Sequence, residues 1–242
     1  MKILITGAST GIGRQLSLDY AKSQHEVYVA ARSIEKLNSL KSNFPKNIFP
    51  VVMDVTDKQS INIALKDLGD FDLAILNAGT CEYVDIDKFD SELFERVFQV
   101  NFFGVIYCIE CLIDKIKAGG QLAITGSLSR QLPFTRAEAY GSSKAAIHYL
   151  TKSLAVDSQE KWNFSVHSIS PGFVKTPLTD KNDFEMPFII STEEASKIII
   201  DGLKRKHSDI SFPKKLSWPL KFCALLPEQL QHYISVKLRS SS

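Results

Sequence analysis

Seven short runs of apolar and β-branched residues alternate along this chain with six longer stretches of helical periodicity. The strand candidates are Lys2–Thr6, Glu26–Ala31, Ile48–Met53, Asp72–Leu76, Gln121–Thr125, Phe164–Ser170 and Ile210–Phe212. Between them fall helical patterns at Ile12–Ser23, Ile34–Ser42, Asp57–Lys66, Ser91–Lys117, Tyr140–Gln159 and Thr192–Lys204. Asp72–Leu76 is almost entirely apolar, as a strand covered on both faces should be. Such alternation predicts an α/β fold, a parallel sheet with helices packed on each side. Connections are short, with no repeat, linker or low-complexity tract, so one domain over residues 1–242 is expected. The exception is Gly172–Ser191, an irregular stretch holding Pro177 and Pro187. A loop that long inside a compact domain is usually functional, and residues 173–191 are read as a substrate lid.

Composition narrows the class. A 242-residue chain with 44% hydrophobic residues and a net charge of +2 is neither disordered nor a general polyanion binder. No nucleic-acid partner is expected. No apolar run is read as approaching the roughly 18 residues of a transmembrane helix. Met1–Gly7 is too short an apolar stretch for a signal peptide, and a cytoplasmic location is expected. The cysteines at 81, 108, 111 and 223 form no disulfide framework. Cys108-Ile109-Glu110-Cys111 has redox spacing but lies inside a long helical pattern, where buried small hydrophobes are the better reading. The five histidines show no ligand spacing, and no metal site is expected.

The chemistry begins where the first strand meets the first helix. The junction reads Thr6-Gly7-Ala8-Ser9-Thr10-Gly11-Ile12-Gly13. Glycines there let a pyrophosphate approach the backbone, and the helix N-terminus supplies N–H donors and a positive dipole end. The spacing is G-x-x-x-G-x-G, not the general G-x-G-x-x-G fingerprint.

This spacing resembles the short-chain dehydrogenase/reductase family, and further elements follow in family order. They are Asp54-Val55 after the third strand, Asn77-Ala78-Gly79 after the fourth, Asn101 in the fourth helix and Ser127 after the fifth strand. Tyr140-Gly141-Ser142-Ser143-Lys144 matches the family's Y-x-x-x-K, and Pro171-Gly172 with Thr176 follow the sixth strand. One departure is Leu76, which stands where the family's N-N-A-G has its first Asn. The match covers about Lys2 to Thr179. The resemblance implies a doubly wound Rossmann sheet of about seven strands in the order 3-2-1-4-5-6-7. It implies a nicotinamide dinucleotide held by Gly7, Ser9, Thr10, Gly11, Ile12, Gly13, Asp54, Val55, Asn77, Ala78, Gly79, Tyr140, Lys144, Pro171, Gly172, Val174 and Thr176. It also implies a catalytic set of Asn101, Ser127, Tyr140 and Lys144.

The residues themselves add to this. An NAD enzyme places an acid at the end of the second strand, and that acid would repel a 2′-phosphate. Here the sequence is Val29-Ala30-Ala31-Arg32-Ser33, so Arg32 and Ser33 favour NADP(H). Tyr140 and Lys144 lie four apart on a helix and share a face. A free phenol, with a pKa of about 10, is too weak an acid for work near neutrality. A neighbouring ammonium would lower it. In the family the lysine also holds the nicotinamide ribose, Ser127 orients the substrate oxygen, and Asn101 interrupts its helix with a side-chain-bound water that extends a proton relay. Thr176 would bond the carboxamide.

The expected function is NADPH-dependent hydride transfer to or from a carbonyl or alcohol. Phe173, Leu178, Phe184, Met186, Pro187 and Phe188 in the lid suggest an apolar, lipid-like substrate. Two alternatives stay open: an NAD-dependent alcohol dehydrogenase, and a non-catalytic protein that senses NADP. Residues 203–242 carry eight Lys and Arg against two Asp and Glu, a net +6 that leaves −4 for the rest. Interleaved Trp218, Phe222, Leu225 and Leu226 fit a helix that caps the pocket with its lysines in solvent, but also a membrane surface or apolar partner. Pro219 and Pro227 are expected to break any helix there. A homodimer is expected; the Gly-containing terminal segment through which some related chains form tetramers is missing.

Overall fold

The computed structural model describes residues 1–239. The strands are β1 (Lys2–Thr6), β2 (Glu26–Ala31), β3 (Ile48–Val52), β4 (Phe71–Leu76), β5 (Ile116–Thr125), β6 (Ser165–Pro171) and β7 (Asp209–Phe212). They form one parallel sheet in the order β3-β2-β1-β4-β5-β6-β7, the order the family resemblance implies. The helices are α1 (Gly11–Lys22), α2 (Ile34–Asn43), α3 (Lys58–Leu65), α4 (Ser91–Phe98), α5 (Gly104–Leu112), α6 (Glu138–Lys161), α7 (Thr192–Lys204), α8 (Lys214–Cys223) and α9 (Glu228–Arg239).

Side-chain alternation in the strands builds two cores. Ile3 and Ile5 face one side with Val27, Val29, Leu16, Leu37 and Ile199, beneath α1, α2 and α7. Leu4 faces the other with Val51, Phe71, Leu76, Ile124 and Ile147, beneath α3, α5 and α6. Each such buried side chain contributes about 1.5–3 kcal/mol relative to exposure. All parallel strands point their C-terminal ends the same way, so every loop that follows a strand gathers at one edge. The switch in direction lies between β1 and β4, where adjacent strands lead away from each other.

The long helical pattern expected over Ser91–Lys117 is divided. α4 gives way to a widened π turn at Gln99–Phe103, then α5, then a 3-10 turn at Ile113–Lys115. β5 starts at Ile116, five residues ahead of the Gln121 expected. The added residues pair Ile116 with Phe71 while Gln121 pairs with Leu73, so a bulge containing Gly119 and Gly120 absorbs the difference. Ser91–Lys115 is also long and apolar enough, by length and composition, to cross a membrane, contrary to the expectation that no run approaches that length. Its apolar residues include Val97, Val105, Cys108, Ile109 and Leu112, all buried in the cores. Cys108 is packed inside α5 and burial pushes its thiol up to about 12, while the Cys111 thiol donates to Asn62 Oδ1 at 2.8 Å. Neither has the low-pKa, electropositive setting of a redox pair.

Pro219 does not break its helix. It sits inside α8 and is exposed, so the one carbonyl its missing N–H leaves free is on the solvent side. Pro227 does mark the boundary between α8 and α9.

Candidate active site

Thr6 ends β1 buried, and its hydroxyl accepts hydrogen bonds from the backbone N–H groups of Asn77 (3.0 Å) and Ala78 (3.1 Å). Asn77 Nδ2 donates back to the Thr6 carbonyl at 3.3 Å. These bonds splice the ends of β1 and β4 at the switch point. Gly7 follows with φ of +64°, a conformation costly for residues with a Cβ. A Cβ on Gly13 would lie 2.5 Å from the Gly7 carbonyl oxygen, so the turn closes only over a bare backbone.

Four other helices are capped by their own side chains: α2 by Ser33, α3 by Asp57, α4 by Asp90 and α7 by Ser191. Thr10, at the N-cap of α1, makes no such bond. The α1 terminus therefore keeps its donors and dipole directed at the space above the sheet. That space is a cleft of about 730 Å³, within the usual size of a cofactor site. Gly7, Ser9, Thr10, Gly11 and Ile12 line it, as do Arg32, Ser33, Asp54, Val55, Asn77, Ala78 and Gly79. Tyr140, Lys144, Pro171, Gly172, Val174 and Thr176 line its far end. A dinucleotide fits this donor set: a bare turn for a pyrophosphate, a cationic mouth and a buried lysine at the opposite end. Of the predicted residues, Gly13, Asn101 and Ser127 lie behind the lining. Gly13 is buried under the turn and Ser127 is 7% exposed.

Asn101 is fully buried in the π turn, and its side chain is spent on protein partners. Oδ1 accepts from Thr80 N at 2.8 Å, while Nδ2 donates to Thr80 O at 2.9 Å and Ser143 Oγ at 3.0 Å. The side chain thus ties the widened helix to the loop after β4 and to α6. The expected helix interruption is present, but the amide is occupied by protein rather than reserved for a water.

Tyr140 and Lys144 stand one turn apart on α6. Lys144 is 3% exposed; its ammonium lies 5.7 Å from the Tyr140 ring centre and donates to the Thr125 carbonyl at 3.0 Å. Burial lowers its pKa to about 8. Burial raises the Tyr140 phenol to about 12, opposed by hydrogen bonding from Ser127. The expected net lowering of Tyr140 is not seen: desolvation dominates, and the Lys144 ammonium is engaged with a carbonyl. Ser127 itself caps the 3-10 turn that follows β5, accepting from Ser129 N at 3.1 Å.

At the opposite mouth Arg32 is exposed. Ser33 accepts from Lys36 N at 3.3 Å and donates to Glu35 Oε2 at 2.8 Å. Lys36, in the first turn of α2, lines the cleft as well, a residue that sequence reasoning missed. Asp54 Oδ1 accepts from Thr56 N and Oγ1, at 2.9 and 2.8 Å.

Two residues near the reacting end carried no sequence signal, Cys81 and Tyr83. Burial raises the Cys81 thiol, which hydrogen bonds with Tyr83 and couples electrostatically to Lys144. Tyr83 then reaches the lid. Its hydroxyl donates to Asn182 Oδ1 at 2.6 Å, and its ring packs edge-on against Phe184. Arg136 lies 5.3 Å from the same ring and bonds both oxygens of Asp183, at 2.9 and 3.0 Å. Thr176, which lines the cleft, is held to the base of the lid: its N–H donates to Thr179 Oγ1 at 2.9 Å and its hydroxyl lies 3.3 Å from the same oxygen. Of the apolar residues expected to face substrate, only Leu178 lines the cleft. Phe184 instead stacks between Tyr83 and Phe173, and Phe188 is exposed.

A family model described as short chain dehydrogenase matches residues 1–186. An uncharacterized oxidoreductase of Myxococcus xanthus is 29% identical over 98% of this chain and 96% of its own length. The NADPH-dependent 1-acyldihydroxyacetone phosphate reductase of Saccharomyces cerevisiae is 34% identical over 74% of this chain and 62% of its own. A serine dehydrogenase solved in its closed form with NADP+ superposes with a TM-score of 0.81 at 22% identity, covering 90% of this chain and 96% of that one, a likeness of fold. The glycine turn, the spliced strand ends and the Tyr140–Lys144 pair thus accompany a match to three quarters of the chain: it belongs to the short-chain dehydrogenase/reductase family of oxidoreductases.

Proposed function

We propose that this oxidoreductase uses NADP(H) and acts on an apolar, lipid-like carbonyl or alcohol, working as a homodimer of single-domain chains in the cytoplasm. The observation that carries the reading is Lys144, a buried ammonium held one helical turn from Tyr140 at the closed end of a glycine-lined cleft. Bound in the cleft, the nicotinamide supplies the hydride. The chain's residues do the rest. The α1 terminus and the glycine turn, with Ser9, Thr10 and Ile12, hold the pyrophosphate. Asp54 and Val55 flank the adenine, and Asn77, Ala78 and Gly79 line the path between the two ends. Pro171, Gly172, Val174 and Thr176 cover the nicotinamide. Ser127 donates to the substrate oxygen, and Tyr140 gives or takes the proton at that oxygen. Lys144 offsets charge on the Tyr140 phenolate and holds the ribose, anchored by the Thr125 carbonyl. Asn101 fixes the loop before Cys81 and the base of α6.

Arg32 supports NADP(H), with Lys36 beside it as a second cation. The relative's printed cofactor, NADPH, agrees with that reading. One observation favours an NAD-dependent alcohol dehydrogenase instead: Ser33 is engaged by Glu35, which brings a carboxylate to the ribose end. Cofactor titration separates the two. NADPH should bind much more tightly than NADH, and Arg32→Ala should remove most of the preference, about 1.5–3 kcal/mol. NADPH oxidation should appear with apolar ketones, quinones, sterols or acyl thioesters. Equal affinity for both cofactors overturns the NADP reading; tight binding without turnover across that panel makes the chain a sensor.

The homodimer is supported by apolar side chains left in solvent on one side: Phe103 in the π turn, and Tyr149 and Val156 seven apart on α6. Sedimentation equilibrium of the chain and a Tyr149→Glu variant tests it, a monomer in both overturning it.

A further inference from the structure

The helix at the carboxy-terminal edge has two faces of opposite character. On its inner face Ser217 is buried, and Leu216 packs so closely on Gly172 that a Cβ there would lie 2.7 Å from Leu216 Cδ2. On its outer face Trp218, Phe222 and Leu225 are 71%, 65% and 84% exposed. Their spacing, i, i+4, i+7, aligns them in one stripe along α8 and its end. Lys214 and Lys215 lie four and three residues before Trp218, on the same side, and both are exposed. Lys221 turns away instead, its ammonium 2.8 Å from Asp209. α9 continues the apolar surface with Leu230 and Tyr233, and Gln231 fixes it to α8 through the carbonyls of Ala224 and Leu226.

We propose that this ridge docks on an anionic lipid bilayer, with Trp218, Phe222 and Leu225 entering the headgroup–acyl boundary and Lys214 and Lys215 meeting phosphates beside them. The charge distribution argues for that occupant. Residues 213–242, from the start of the ridge onward, carry Lys214, Lys215, Lys221, Lys237 and Arg239 against Glu228, a net +4 that leaves −2 for residues 1–212, so an anionic plane attracts this edge and repels the remainder. Shape argues the same way. The ridge is a convex helix surface with an indole at its middle, and indole rings favour the membrane interface. Lysine stems beside it can lie along apolar surface while their ammoniums reach outward. The charged residues of α8 and α9 exclude spanning, so the contact is peripheral and reversible. The contact between Leu216 and Gly172 puts the nicotinamide end of the cleft on the opposite side of this one helix. Docking would therefore hold the nicotinamide end one helix away from the lipid, a placement whose use for substrate rests on the apolar-substrate reading above; the docking itself does not.

Flotation of the whole chain with vesicles tests this. The probes are phosphatidylcholine alone and phosphatidylcholine mixed with phosphatidylserine, each at low and high salt. The chain should float with the mixed vesicles at low salt and be released by high salt. Lys214→Glu with Lys215→Glu should weaken partition at least about tenfold. Trp218→Ser, Phe222→Ser and Leu225→Ser together should abolish it, while circular dichroism and NADPH binding stay unchanged, because all three side chains are exposed. A chain that stays with the pellet of unbound protein on mixed vesicles at low salt overturns the proposal, as does a triple variant that floats equally well. If the unvaried chain does not float, and the triple variant alone dissociates an oligomer, the ridge is a contact between copies. Flotation without NADPH oxidation on any carbonyl overturns the proposed activity and leaves the docking standing; oxidation of soluble ketones without flotation does the reverse.

Discussion

At the amino-terminal end of the cleft, position is set by backbone. Thr6 receives two main-chain N–H groups, Gly13 lies against the Gly7 carbonyl, and Thr10 leaves the helix terminus uncapped. At the lid end, position is set by side chains on the surface. Tyr83 bonds Asn182, Arg136 pairs with Asp183, and Phe184 is wedged between two rings. Contacts of the first kind admit almost no substitution, because a Cβ or a lost acceptor cannot be accommodated by rotating a side chain. Contacts of the second kind are exchangeable, and exposed ion pairs add little stability. The two ends of one cleft can thus hold a fixed cofactor and a changing substrate.

The junction between these ends should show the largest effect. Tyr140→Phe removes the transferable proton but keeps the ring, so turnover should fall at least about 10²-fold with cofactor affinity nearly intact. Steady-state kinetics beside a binding titration reads both. Next is the backbone end itself. Gly13→Ala drives a methyl into the Gly7 carbonyl and should weaken cofactor binding on the order of 10²-fold, as misplacement of a binding element does. Cofactor affinity unchanged in this variant would break the contrast at its rigid end. Thr6→Val keeps shape but withdraws the shared acceptor from two N–H groups, and should cost about 1–3 kcal/mol in urea unfolding. The smallest effect belongs to the lid. Arg136→Ala should change stability by less than about 1 kcal/mol and act instead on KM, raising it several-fold while kcat is held. A large stability loss there, with KM unmoved, would show that the lid is as much part of the frame as the glycine turn.

The parallel sheet was legible because each strand is a short apolar run and each helix has a periodic face; its strand order came from the family resemblance. The glycine turn and the Tyr140–Lys144 pair stand out by local spacing, and Asn77 by its place in the family order. What escaped was set by tertiary contact. An interruption at Asn101 was expected from the resemblance, but not what holds it: Asn101 reaches Thr80 and Ser143, 21 and 42 residues away. β5 begins early because Phe71 is available to pair with Ile116. Pro219 survives inside α8 because the edge of the fold leaves its turn in solvent, which no propensity records. The charge effect at Tyr140 was misjudged for a related reason. Spacing puts Lys144 on the same face but says nothing of the Thr125 carbonyl that accepts its hydrogen bond, or of the burial that dominates both groups.

The segment after Pro171 is pinned at both ends. Val174 bridges Ile190, Ile190 N–H donates to the Phe173 carbonyl at 3.1 Å, and Lys175 N–H donates to the Ile190 carbonyl at 2.9 Å. Everything between those bonds is a loop whose two feet already touch. Lengthening such a loop is cheap, about 0.6 kcal/mol for each doubling, since its ends are brought together whatever its length. Thr176 and Thr179 belong to the near foot, Thr176 packing on Gly11 and Thr179 donating to the Val174 carbonyl at 2.7 Å, so the natural point for grafting is the span from Lys181 to Phe188: it can be replaced with a longer or shorter insert while the parallel sheet, the glycine turn and the Tyr140–Lys144 pair keep their places.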